Sequence, residues 1–238
     1  MPIFTVDLDP VELRLQVSDQ PLTYCPPSDE GLDIRFIDDH LLVVDKPAGL
    51  LSVPGRGPDK QDCLSTRVQV RYPEAVPVHR LDLGTSGLLV LARSPDMHRA
   101  LNKLFATRHV EKRYVALVAG QVAEGERIID LPLIVDWPNR PRQIVDLTIG
   151  KPSLTRMRPV VYDPVLDATR VELFPETGRS HQLRVHLQAI GHPILGDELY
   201  APPEVFARAR RLLLHAVYLG FIHPSTATPL VVESPSPC

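Results

Sequence analysis

Val78–Ser94 reads VHRLDLGTSGLLVLARS. Five consecutive apolar residues, Leu88, Leu89, Val90, Leu91 and Ala92, have the pattern of a strand buried on both faces. Just before them stand His79, Arg80, Asp82, Thr85 and Ser86, with Gly84 and Gly87 as candidate joints. A carboxylate flanked by cations on a turn that feeds a buried strand is a loop held by a scaffold, and chemistry concentrates there. On these features alone an ordinary turn with one solvated Asp fits equally well.

The 238 residues suit one catalytic-sized domain, with 44% hydrophobic content ample for a core. No apolar run approaches the roughly 18 residues that a membrane span needs, and the N-terminus MPIFTVDLDP lacks the basic and apolar regions of a signal peptide. Cys25, Cys63 and Cys238 are widely spaced without a CxxC, as expected of a cytoplasmic chain without a zinc ribbon. The net charge of −3 hides an asymmetry: residues 1–40 carry −7 and the remainder +4. A mildly basic body behind an acidic leader permits RNA binding.

Around the opening stretch, Ile34–Ile37 and Leu41–Asp45 predict a hairpin over Asp38-Asp39-His40. Asp62–Tyr72 predicts a helix, and Ser94-Pro95 caps another that runs to about His109. Strands are expected at Lys112–Ala119, Thr155–Tyr162, Thr169–Phe174, within Arg210–Phe221 and at Leu230–Val232. Asp136–Gln143, with Trp137, Arg140 and Arg142, reads as a substrate-facing loop. In Glu176–Gly191, Gly178 gives a turn, Ser180 an N-cap, and Leu183, Leu187 and Ile190 an apolar stripe that puts His181 and Arg184 on one face. Strands and helices without a βαβ rhythm indicate an α+β fold with a mixed or antiparallel sheet.

Several chemistries fail on spacing. His181 and His186 diverge around a helix, so no metal site is expected. Ser52–Lys60 lacks the GK[ST] ending of a phosphate loop, Gly84–Gly87 lacks the GxSxG elbow, and no GxGxxG occurs. A cofactor-free site with a carboxylate and cationic or aromatic helpers remains. Such a carboxylate serves as a nucleophile or a base.

His79-Arg80-Leu81-Asp82 with Thr85-Ser86-Gly87-Leu88 closely resembles the signature of the RluA family of pseudouridine synthases. Further blocks resemble the family in order: Val44–Leu50, Lys112-Arg113-Tyr114, Gly178–His186, Gly191–Asp197 and Leu213–Ala216. They span roughly residues 31–221. Pro54-Gly55-Arg56 and Asp136–Pro141 look most like the family member that modifies both 23S rRNA and tRNA.

The resemblance implies a pseudouridine synthase fold with a central, mainly antiparallel mixed sheet flanked by helices and loops. It implies a catalytic domain over 31–238 behind a leader over 1–30 that is too short and acidic for an S4 RNA-binding domain. The implied reaction breaks the uridine N1–C1′ bond, turns the uracil and joins C5 to C1′, without a cofactor. Asp82 matches the catalytic aspartate, acting as a nucleophile or as the C2′ base. Arg184 matches the arginine that pairs with it, and Tyr114 the tyrosine that stacks on the base and acts as a late general base; a buried strand tyrosine is the plain alternative. His79, Arg80, Arg56, Arg140, Arg179 and His181 are the expected RNA contacts, Arg80 helping to hold the target base turned out of its stack. The expected partner is loop RNA, in 23S rRNA and/or the tRNA anticodon stem-loop, for a monomer in the cytoplasm with no membrane contact. The alternatives are another single RNA target, a non-catalytic RNA-binding relative, and a carboxylate glycosidase, which would need a second acid that the matched blocks lack.

Overall fold

The computed structural model describes residues 24–236. Its strands are β1 (Asp33–Ile37), β2 (Leu41–Lys46), β3 (Val76–Pro77), β4 (Ser86–Ala92), β5 (Glu111–Ala119), β6 (Arg127–Asp130), β7 (Leu133–Val135), β8 (Gln143–Val145), β9 (Leu154–Asp163), β10 (Ala168–Pro175), β11 (Leu214–Ile222) and β12 (Pro229–Glu233). The helices are α1 (Leu64–Arg71), α2 (Pro95–Ala106), α3 (Gln182–Ala189) and the single turn α4 (Pro203–Phe206).

All seven residues of β4 are buried, because a helix covers each face of the sheet there. Side chains alternate along a strand, so Leu88 and Val90 join Leu41 and Val43 under Met97 and Leu101 of α2. Leu89 and Leu91 join Leu42 and Val44 under Leu64 and Val68 of α1. Each such side chain contributes about 1.5–3 kcal/mol on burial, which makes this double sandwich a stiff base for the loop that enters β4. Ser94 caps α2 as expected, accepting from the Met97 amide at 3.2 Å.

The main sheet runs β1-β2-β4-β11-β5-β10-β9-β6, with β3 on β4 and β12 on β11. Every pairing is antiparallel except β4 with β11. The α+β mixed sheet is as expected, and its one parallel contact joins the two halves of the molecule. Beyond it, Ala116, Leu173, Leu183 and Leu187 pack β5 and β10 against α3.

That junction corrects the role given to Gly87. It lies inside β4 at φ +110°, opposite Ala216, and a Cβ would come within 2.3 Å of the Ala216 carbonyl oxygen. Gly87 permits the close approach of two backbones; it is not a joint. The Asp136–Gln143 segment also differs: Gln143 opens β8, and residues 136–142 form the tip of a small β7–β8 hairpin. α1 and α2 are shorter than expected, and Ser180 does not cap α3; His181 stands at the N-cap position, at φ +55° and without a side-chain capping bond. Residues 1–23, most of the acidic leader, and Cys238 lie outside the described residues. The leader's end packs on the body: the Tyr24 hydroxyl donates to the Asp62 carbonyl and accepts from the Leu51 amide.

Candidate functional site

The turn carrying Asp82 is clamped on both sides through its backbone. Ser52 Oγ donates to the Leu81 carbonyl at 2.7 Å and accepts from the Leu81 amide at 3.0 Å. The Leu83 carbonyl accepts from the Gly49 amide at 2.9 Å and from Lys46 Nζ at 3.2 Å. The Thr85 amide donates to the Asp82 carbonyl at 3.1 Å, closing the turn. Asp82 is therefore presented rigidly rather than on flexible glycines, as a preorganised group needs to be.

Lys46 is fully buried, and its ammonium also donates to the Pro47 and Leu50 carbonyls. Burial lowers its pKa from 10.5 to about 7, against the pull of Asp82 and Asp45. Between about pH 7 and 10.5 the unfolded chain then holds a proton that the folded one has released. Stability from this group rises with pH across that window. Lys46→Met should cost about 2 kcal/mol in urea unfolding near neutral pH, since the buried Leu50 carbonyl and the part-buried Pro47 and Leu83 carbonyls lose their donor. Wild type should also gain on the variant as pH is raised from 7 to 10; parallel pH profiles would contradict this reading.

Across from Asp82 stands α3. Arg184 Nη1 lies 3.5 Å from Asp82 Oδ2, with 6% of the arginine side chain exposed and 27% of the aspartate's. The guanidinium is held from behind by Asp197, Nε to Oδ2 at 2.8 Å and Nη2 to Oδ1 at 2.6 Å. Burial works against the Arg184 charge, but the Asp197 hydrogen bonds and charge, with Asp82 beyond, outweigh it and raise its pKa. Asp197 Oδ1 accepts further from the Leu199 and Tyr200 amides. The Tyr200 ring lies 5.0 Å from the Arg184 guanidinium carbon, and its hydroxyl is 2.6 Å from His181 Nδ1. His181 and Arg184 do converge, with this ring as their common neighbour.

Tyr114 sits mid-β5 between Ala216 of β11 and Leu173 of β10. Burial, then the Asp82 charge, pushes its phenol well above the ordinary value, so it is protonated in the free protein. Asp82, Tyr114, Arg184, Arg80, Arg179 and His181 all line one cavity of about 120 Å³. It adjoins a groove of about 1100 Å³ that also borders Arg80, Tyr114 and Arg179, with Arg108, Lys112 and Arg113.

Other expected contacts stand elsewhere. His79 borders the groove, but its Nε2 accepts from the Val90 amide at 3.1 Å and its ring stacks on Phe105 at 4.7 Å. Burial, with Lys112 nearby, lowers its pKa to about 3. Its imidazole is held neutral against the scaffold while the residue still borders the groove. Arg56 and Arg140 are exposed and line neither cavity. Lys46, Asp197 and Tyr200 received no role from the sequence.

Residues 40–189 match the family model described as RNA pseudouridylate synthase. The chain is 49% identical over 213 residues to the "Dual-specificity RNA pseudouridine synthase RluA" of Escherichia coli (strain K12), covering 90% of this chain and 97% of that protein. The protein of the same description from Vibrio parahaemolyticus is 51% identical over 208 residues, covering 86% of this chain and 83% of the relative. Among solved structures, human RNA Pseudouridylate Synthase Domain Containing 1 superposes with a TM-score of 0.75 at 31% identity, over 89% of this chain and 86% of that one. Human RNA Pseudouridylate Synthase Domain Containing 4 gives 0.68 at 26% identity, over 86% and 88%.

Proposed function

Because this chain belongs to the RNA pseudouridylate synthase family, an isomerase of RNA uridine, we propose that Asp82 carries the reaction and that uridines in 23S rRNA and tRNA loops are its substrates. The observation that carries the reading is the Asp82 carboxylate, opening into a ring-sized cavity with Arg184 at 3.5 Å and Tyr114 on the same wall.

A base inside a stacked helix is out of reach of a carboxylate set in a cavity, so the uridine is turned out, at an energy cost that is smallest in unpaired loops. Arg80, exposed beside Asp82, occupies the space the base leaves. Arg184 orients the carboxylate and balances its charge as the N1–C1′ bond breaks. Tyr114, protonated, stacks on the uracil and donates a hydrogen bond; an ionised phenolate base does not suit its raised pKa. The C5 proton is lost as C5 bonds to C1′, and N1 gains one, so atoms balance and no redox partner is needed. Arg108, Lys112, Arg113 and Arg179 in the groove suit the flanking phosphates. The dual target rests on the likeness to relatives described as dual-specificity, and the same reading places a monomeric enzyme in the cytoplasm, with the catalytic domain beginning near residue 31.

The test is tritium release from C5-labelled uridine in separate 23S rRNA and tRNA transcripts, followed by mapping of carbodiimide-induced primer-extension stops. Release from both is expected. Release from only one transcript would leave the chemistry and remove dual specificity, and release from neither, with the protein folded, would overturn the reading.

A further inference from the structure

The β7–β8 hairpin carries the chain's single tryptophan at its tip. Trp137 is 66% exposed, although a large apolar ring normally gains by burial. The Arg140 guanidinium lies 4.6 Å over the ring centroid, yet most of the side chain stays open to solvent. The tip is held in shape: the Asp136 amide donates to the Arg142 carbonyl, the Arg142 amide to the Asn139 carbonyl, and Asn139 Nδ2 to the Asp136 carboxylate. A ring displayed on an ordered tip loses little freedom when something stacks on it.

The hairpin is also wired to the site. The Gln143 amide donates to the Tyr200 hydroxyl at 2.8 Å, and the Arg142 guanidinium lies 5.5 Å from the Tyr200 ring. The same ring abuts Arg184. One aromatic side chain thus separates the base of the tip from the arginine that faces Asp82.

We propose that Trp137, backed by Arg140, is a stacking platform for a second unpaired base of the RNA loop whose uridine enters the cavity. The proposal rests on the reading of this chain as acting on loop RNA, and it assigns part of the choice of loop to the tip. An aromatic face accepts any base, and a guanidinium behind it adds charge suited to the phosphates on either side. A protein partner is the less favoured occupant: between Trp137 and the half-exposed Ile144 of β8 the tip is polar and basic, with Asn139, Arg140, Arg142 and Gln143, and the more exposed Leu147 and Ile149 follow the hairpin. Tyr200 acts as a positioning residue between the platform and Arg184.

Because Trp137 is the only tryptophan, its emission reports this surface directly. A tRNA anticodon stem-loop and a fully paired duplex of equal length are titrated into the full-length protein, with binding followed independently by anisotropy of end-labelled RNA. Quenching that tracks the stem-loop isotherm and is absent with the duplex is expected. Trp137→Ala should raise KM on the stem-loop about tenfold, with the loss falling on KM rather than kcat, and Trp137→Phe should recover part of it. Stem-loop binding with unchanged emission, or an unchanged KM in Trp137→Ala, overturns the platform and leaves the enzymatic reading standing. Emission that changes with protein concentration alone makes the occupant a second copy and also overturns it. Failure of both RNAs to bind by anisotropy overturns the two readings together.

Discussion

In Asp82→Asn, tritium release from C5-labelled uridine in stem-loop RNA should fall by about 10⁴-fold, to the limit of detection. The exchange keeps shape and removes charge, and the turn should survive because Asp82 contributes its backbone carbonyl to the Thr85 amide, which Asn retains. Arg184 is not orphaned by the change, since Asp197 continues to hold it with two hydrogen bonds. The urea midpoint should therefore move little, and stem-loop binding by anisotropy should stay within a few-fold. Activity lost with fold and RNA binding retained is the pattern of a group that acts on the substrate. Release that persists in this variant would remove Asp82 from the reaction and leave the cavity as a binding feature alone.

Placing the carboxylate and placing its support draw on different information. The turn at Asp82 was legible because its signals are local: a polar cluster, then an apolar run too continuous for a half-exposed strand. α2 was legible for the same reason, Ser94-Pro95 being a start signal that needs no distant partner. What could not be read is what sequence-distant segments do to one another. Ser52 binds Leu81 across 29 residues, and Arg184 meets Asp197 only because α3 and the following loop fold back together. Gly87 shows the difficulty: in the chain it looks like a hinge, and only the parallel register with Ala216 makes it a packing requirement. The packing of the His79 ring on Phe105 was equally invisible, since the two residues lie 26 positions apart in the chain. The β7–β8 strands, three residues each, are too short for periodicity to register.

Asp197→Asn should produce the largest loss of stability, about 3–5 kcal/mol in urea unfolding. Arg184 is 5% exposed and Asp197 1%, so removing the acid's charge leaves a guanidinium buried with only the more exposed Asp82 to face it. The effect of the pair on folding can be separated from its effect on chemistry. In the double variant Arg184→Met, Asp197→Asn, both charges go, the volume is nearly kept and the Asn oxygen still accepts from the Leu199 and Tyr200 amides, so stability should return to within about 1–2 kcal/mol of wild type. Activity should not return with it, because Asp82 has then lost the cation at 3.5 Å that orients it. Arg184→Lys makes the intermediate case: charge is retained, but a single ammonium cannot reproduce the two-point hold on Asp197 while reaching Asp82. A double variant that is both stable and active would show that the arginine serves the fold alone. A stable, inactive one separates the two roles and leaves Arg184 as the group through which a buried acid sets the geometry of a half-buried one.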